Sequence, residues 1–190
     1  MTTSTAELSD SRVVRGFAHE SSRNESIEWY TPPEIFDALG LTFDLDPCSP
    51  GPGLSHVPAD AHYTKEDDGL ACPWFGTVFV NPPYGVHTPA WMDKLAEHGD
   101  GIALVFARTD TAWAQRALRA ADCVCFISSR VRFFKGNTTE RGGTPGAGSM
   151  LLAFGPTSAA ALENSGLGVV MRPSCKPPIR SVRSPHTYRA

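Results

Sequence analysis

Thr77-Val78-Phe79-Val80-Asn81-Pro82-Pro83-Tyr84-Gly85 is the stretch on which the reading of this chain turns. Its first four residues are β-branched or aromatic and read as a short strand buried on both sides. The strand must stop at Pro82, because proline has no N–H to give to a ladder and holds φ near −65°. Pro83 in turn pushes Pro82 into an extended conformation, so the Pro82 carbonyl has a set direction. The Asn81 side-chain oxygen and that carbonyl can each accept one hydrogen from an exocyclic NH2. Tyr84 adds a ring face, worth about 1–3 kcal/mol when a base stacks on it. The loop reads as a grip for a planar amino group.

Similar apolar runs recur along the chain, at residues 41–46, 102–107, 123–127, 149–154 and 167–171, and each is predicted as a strand. Helix signals lie between them. Thr31-Pro32-Pro33-Glu34 combines an N-cap Thr, a proline in the first turn and a capping-box Glu, with Gly40 to close the helix. Thr88-Pro89 opens a second helix through Trp91 and Leu95 to Gly99, and residues 111–121 form a third with Trp113, Ala117 and Leu118 on one side. The alternation predicts an α/β fold, with a mainly parallel sheet covered by helices on both faces. Ligands then belong at the carboxyl ends of the strands. Two such exits carry unusual chemistry, Asp46-Pro47-Cys48-Ser49 and Asn81-Pro82-Pro83-Tyr84, and they are expected to face one crevice. Residues 47–76 are rich in Gly and Pro at their start and predict loop, without a strand-helix pair.

Composition narrows the function classes. With 190 residues, 41% of them hydrophobic, the chain can bury one core, and it predicts one domain over 27–171 between a polar arm (1–26) and a basic, proline-containing tail (172–190). The longest apolar run is too short to span a bilayer and the start has no signal-peptide core, so a cytoplasmic location is expected. Five cysteines, an odd number without framework spacing, fit a reducing compartment. The net charge of −3 hides an asymmetry: residues 1–100 hold 5 Lys/Arg against 16 Asp/Glu, whereas residues 101–190 hold 12 against 4. A basic second half points to an anionic partner, since polyanions bind local basic surface rather than net charge.

Three further stretches carry chemistry. Asp46, followed by Pro-Cys-Ser and then Gly51-Pro52-Gly53, can accept from an ammonium while the glycines allow close approach. Asp68, before Gly69 and Leu70, can accept from an adenine amino group that Leu70 covers. Arg130, Arg132 and Lys135, interleaved with Val131, Phe133 and Phe134, together with Arg141, suit a nucleic-acid backbone with stacking on unpaired bases. The same alternation also suits an ordinary strand with Val131 and Phe133 in the core. Cys48, His56, His62 and Cys72 match no zinc spacing, so no metal is assigned.

Taken together these motifs resemble the small phage-type DNA N-6-adenine methyltransferases of the Dam family. The residues that carry the resemblance are Glu28-Trp29-Tyr30-Thr31-Pro32-Pro33-Glu34-Ile35-Phe36, Asp44-Leu45-Asp46-Pro47-Cys48, Tyr63-Thr64 with Asp68-Gly69-Leu70-Ala71-Cys72-Pro73-Trp74, and Phe79-Val80-Asn81-Pro82-Pro83-Tyr84-Gly85. Ala107-Arg108-Thr109-Asp110-Thr111-Ala112-Trp113 and Arg130-Val131-Arg132-Phe133 extend it, so that it covers residues 27–155 in motif order.

The resemblance implies a Rossmann-like, S-adenosylmethionine-dependent fold, compact and without a clear target-recognition domain. It implies that Tyr30, Thr31 and Pro32 line the methionine end of the cofactor, that Asp46, Pro47 and Cys48 form the first cofactor loop, and that Asp68 reaches the cofactor adenine. Asn81, Pro82, Pro83 and Tyr84 would be the catalytic loop, acting on a flipped adenine in double-stranded DNA. A strand ending in an acid for the cofactor ribose is not found in the sequence. The loop by itself leaves cytosine N4, an RNA base or a protein glutamine amide open as targets, as well as a non-catalytic DNA-binding role on the same fold.

Overall fold

Val78, Phe79 and Val80 have no exposed surface at all, which is why the run before Asn81 carries no polar side chain. They form one strand of a sheet in a computed structural model that describes residues 28–136, 140–143 and 145–174. In chain order the elements are β1 (Trp29–Tyr30), α1 (Pro33–Leu39), β2 (Phe43–Asp46), β3 (Ala59–His62), β4 (Val78–Val80), α2 (Thr88–His98), β5 (Gly101–Phe106), α3 (Ala112–Ala120), β6 (Cys123–Ile127), β7 (Phe134–Lys135), β8 (Ser149–Phe154), α4 (Pro156–Asn164) and β9 (Gly168–Met171). The arm at 1–26 and the tail beyond Ser174 lie outside the described residues.

The main sheet has the order β3-β2-β4-β5-β8-β6-β9. β3, β2, β4 and β5 pair in parallel, whereas β8 pairs antiparallel with both β5 and β6, and β9 antiparallel with β6. The sheet is therefore mixed: five of its seven strands, β2 to β6, share one direction as the expected mainly parallel arrangement requires, and β8 and β9 run against them. The reason lies in the connections. No helix separates β6 from β8 among the described residues, and a strand reached without a crossover returns antiparallel.

Strand side chains alternate between two cores. Phe43, Phe79, Ile102, Leu104 and Leu151 meet Ile35 and Phe36 of α1 and Leu162 of α4. Leu45, Val78, Val80, Val105 and Leu152 meet Trp91, Met92 and Leu95 of α2 and Ala114 and Ala117 of α3. Helices thus cover both faces, as the alternation predicts. Phe79 anchors the first core, with its ring 4.8 Å from Phe36 and 5.3 Å from Phe43.

Four local readings change. Helix α1 is capped by Pro32, not Thr31, because Pro33 holds Pro32 extended (φ −72°, ψ 146°) and delays the helix by one residue; no capping box forms. Gly40 closes it as expected, at φ +60°. Strand β3 lies inside the stretch predicted as loop. It is four residues long, sits at the sheet edge and is only half-buried, so it carries no apolar run to betray it. Helix α4 follows Gly155-Pro156 and supplies the crossover to β9, and β1 pairs with β7 in a separate antiparallel ribbon, Tyr30 opposite Phe134; neither was anticipated.

Candidate active site

β2 and β4 are parallel neighbours, and from β2 the strand order runs to β3 on one side and to β4 and β5 on the other. Such a reversal leaves a crevice outside the carboxyl ends of the two strands. The two exits singled out in the sequence flank it. A pocket there is lined by Trp29, Tyr30 and Thr31 from the β1 ribbon, Asp46 and Cys48 from the β2 exit, and Asn81 from the β4 exit.

Asn81 is anchored from across the pocket. Its Nδ2 donates to the Trp29 carbonyl at 3.0 Å, which orients the amide and leaves Oδ1 as the acceptor end. The Tyr84 hydroxyl stands 3.5 Å from that Oδ1, at the outer limit of a hydrogen bond. The Tyr84 ring stacks on Phe106 at the end of β5, with centroids 4.1 Å apart and planes 15° off parallel. Pro82 is buried, and Pro83 is exposed with its carbonyl accepting from the Thr88 hydroxyl at 3.1 Å. Thr88 thus ties the loop to α2 instead of capping that helix, whose N-cap is His87.

Asp46 is 2% exposed. Burial pushes its carboxyl up from 3.8 to about 6, against the opposing pull of the Cys48 amide, which donates at 3.3 Å, and the Ser55 hydroxyl, which donates at 3.1 Å. His62 Nδ1 lies 3.9 Å from the carboxylate and 3.1 Å from Ser49 Oγ. The acid therefore carries its negative charge above pH 6 at a cost, and an ammonium arriving beside it offsets that cost. Burial and the nearby Asp46 also hold the Cys48 thiol well above its usual range, so Cys48 is a wall of the pocket and no nucleophile.

Thr31 completes the polar lining. It is 3% exposed and its Oγ1 has no hydrogen-bond partner among the described residues, an unmet need at a position that lines the pocket. Tyr30 is held by its own hydroxyl, which donates to Glu28 Oε2 at 2.8 Å. An orphaned hydroxyl beside a buried carboxylate fits an aminoacyl group, with its carboxylate and ammonium.

The remaining predicted residues are placed less directly. Pro32 and Pro47 are buried beside the pocket without lining it. Asp68 is exposed on a turn outside it. Arg130, Arg132, Lys135 and Arg141 are all exposed, while Val131 and Phe133 between them are in the core, as an ordinary alternation of core and surface positions requires. Arg141 is ion-paired with Glu34 of α1 and lies over the Phe134 ring, 4.7 Å from its centroid. Among the described residues no cluster of His, Cys, Asp and Glu is placed to hold a metal ion. Arg172, the first residue of the predicted tail, pairs with Glu163 of α4 at 2.6 Å.

Sequence reasoning missed Trp29, Ser55 and β3. Trp29 acts through a backbone carbonyl, which no side-chain pattern reveals. Ser55 reaches Asp46 from nine residues away through the 50–57 loop, and only the tertiary path of that loop makes the contact.

A mixed α/β sheet with polar chemistry at two strand exits flanking its reversal point is compatible with a methyltransferase fold. The family model for DNA N-6-adenine-methyltransferase (Dam) matches residues 20–176, and the chain belongs to that family. The family acts on adenine N6 in DNA. Searches of curated proteins and of solved structures find no match.

Proposed function

We propose that this protein is a Rossmann-like, S-adenosylmethionine-dependent, site-specific DNA methyltransferase that acts on the N6 amino group of an adenine flipped out of the duplex. One observation carries the reading: Asn81, the first residue of the Asn-Pro-Pro-Tyr loop, and the buried acid Asp46 line one pocket, with the Asn81 amide turned by Trp29 so that its oxygen is the acceptor. The strand order, reversed between β2 and β4, supports the Rossmann-like assignment.

In this reading Asp46 receives the cofactor ammonium, Thr31 Oγ1 meets the polar methionine end, and Tyr30, Pro32, Pro47 and Cys48 shape the wall around them. Asp68 would take the cofactor adenine. When bound, S-adenosylmethionine supplies a methyl group already activated by a sulfonium. Asn81 Oδ1 and the Pro82 carbonyl each accept one N6 hydrogen and turn the nitrogen lone pair out of conjugation with the ring. Pro83 stiffens the loop, and Tyr84, backed by Phe106, stacks on the flipped base, whose extrusion costs a few kcal/mol. As the N–C bond forms, the bond from the methyl to the sulfonium sulfur would break with its electron pair staying on sulfur as a neutral thioether, and one N6 proton would leave along these acceptors to solvent, so no strong base is needed. Arg130, Arg132, Lys135 and Arg141 meet the phosphates of double-stranded DNA.

The test is to incubate the purified chain with S-adenosylmethionine and duplex DNA, digest the product to nucleosides and identify the modified base. N6-methyladenosine in its deoxy form is expected. Methylated cytosine instead, or no product at all, would refute the assignment.

A further inference from the structure

One face of α2 grips the turn at 69–72 and the residues that follow it. Trp91, Lys94 and His98 recur at the three-and-four spacing of a helix face. Trp91 stacks with Trp74, with centroids 5.9 Å apart, and His98 Nε2 lies 2.7 Å from the Gly76 carbonyl. Lys94 sits between them. Its Nζ donates to the carbonyls of Gly69 at 3.2 Å, Leu70 at 2.7 Å and Cys72 at 2.5 Å, and it lies 4.9 Å from the centroid of the Trp74 ring. An ammonium has three hydrogens, and here all three are matched by main-chain oxygens of one turn. Trp74 Nε1 adds a second bond to Gly69, at 2.7 Å.

The residue leading into that turn is Asp68. It is the one non-glycine residue among those described with a positive φ, at +55°. Its carbonyl accepts from the amides of Ala71 and Cys72, at 2.8 and 3.1 Å, while its carboxylate is exposed and takes no hydrogen bond among the described residues. Backbone held in a sparse region persists only where its surroundings over-determine it, as at ligand clamps. Gly69 is equally constrained, since a Cβ there would fall 1.9 Å from the Pro47 carbonyl. The turn is therefore pressed onto the loop that carries Asp46 and Cys48, and it is locked to the helix that begins just after Tyr84.

We propose that Lys94 is a positioning residue, one that fixes the 68–72 turn so that Asp68 is presented to the adenine end of the cofactor in register with the catalytic loop. This rests on the methyltransferase reading above. α2 is the rigid piece that both loops share: Thr88 in its first turn holds Pro83, and Lys94 two turns later holds the Asp68 turn. Removing the ammonium frees three carbonyls and lets the turn relax out of its strained conformation. The catalytic loop, held by Thr88 and Trp29, stays in place.

Full-length Lys94→Met and Lys94→Arg are compared with wild type by calorimetric titration with S-adenosylmethionine, by amide exchange of the peptide covering 68–76, and by steady-state kinetics. Lys94→Met is expected to weaken S-adenosylmethionine binding roughly tenfold, about 1.4 kcal/mol. Exchange at 69–72 should quicken, and kcat at saturating cofactor and DNA affinity should stay within about twofold of wild type, since a lost ground-state contact moves KM and not kcat. Lys94→Arg, which keeps the charge and donors, should recover most of the affinity. Lys94→Gln, with two donors, gives the same reading where the Met variant does not fold. Unchanged cofactor affinity in Lys94→Met overturns the proposal, and so does an equal loss of cofactor binding, DNA binding and kcat. If wild type itself takes up no S-adenosylmethionine, the functional reading fails and the proposal with it. If wild type binds and Lys94→Met binds as tightly, only the role of Lys94 falls.

Discussion

Replacing Asp46 by Asn should make the unliganded protein more stable while strongly weakening its cofactor binding. Burial raises the Asp46 carboxyl from 3.8 to about 6. Because the folded protein holds this proton more tightly than the unfolded chain, the group costs nothing below pH 3.8, and its cost grows as pH rises and is complete above pH 6. At 1.36 kcal/mol for each pH unit, the gap corresponds to about 3 kcal/mol of lost stability at neutral pH. Asn keeps the oxygen that accepts from the Cys48 amide and turns an NH2 toward Ser55 without a charge to bury. Urea unfolding at pH 5 and pH 8 should show wild type losing stability across that interval relative to Asp46→Asn, with the variant ahead by about 1–3 kcal/mol at pH 8. Calorimetry should show the reverse for the ligand. Wild-type affinity for S-adenosylmethionine should fall about tenfold for each pH unit below 6 as the carboxylate protonates, and the variant should lose about 3 kcal/mol or more at pH 8, the usual cost of leaving a buried charge without its partner. If Asp46→Asn is as destabilised at pH 8 as at pH 5, burial is not what governs this acid. If it binds S-adenosylmethionine like wild type, Asp46 does not meet the ammonium.

Further outcomes follow from the same geometry. Asn81→Ala should lower methyl transfer to adenine in duplex DNA by about 100-fold or more, the scale for losing one oriented hydrogen-bonding group at a reacting centre; transfer at the wild-type rate, counted with labelled cofactor, would remove Asn81 from the mechanism. Tyr84→Ala forfeits both the Phe106 stack and the base stack, and should raise the KM for DNA by an amount equivalent to about 1–3 kcal/mol, measured against unchanged S-adenosylmethionine binding. The double variant Arg130→Ala, Arg132→Ala should flatten the salt dependence of DNA binding by about two logarithmic units of slope, with little effect on thermal unfolding, since both side chains are exposed. Phe79→Ala should cost about 3–5 kcal/mol in urea unfolding, because its fully buried ring packs on Phe36 and Phe43.

Elements with strong local signals were legible. The strand at Cys123–Ile127 and the one at Ser149–Phe154 match their apolar runs end to end, and the helix expected at 111–121 is present as Ala112–Ala120, with Thr111 as its cap, accepting from the Ala114 amide at 3.3 Å. Elements defined by their partners were not. β1 is two residues long and exists only because Phe134 and Lys135 come back to pair with it. β3 is half-exposed and gains its strand conformation from β2. Thr31 looked like a helix cap on local grounds, yet the proline pair displaced the cap and left its hydroxyl without a partner among the described residues.

The amino-acid sequence by itself determined the chemistry at the strand exits: two prolines must stop a strand, an Asn and a Tyr beside them must present an amide and a ring, and an acid, Asp46, must end the strand predicted at 41–46. These are consequences of covalent structure and of periodicity over a few residues, and they need no neighbour. Only the tertiary structure decided what those groups could do. Placing β2 beside β4 brought Asp46 and Asn81 to one pocket, burial changed how tightly the acid holds its proton, and the Trp29 carbonyl chose which end of the Asn81 amide faces outward. Direction, proximity and local dielectric depend on chain segments far apart in sequence, and for that reason they were set by packing.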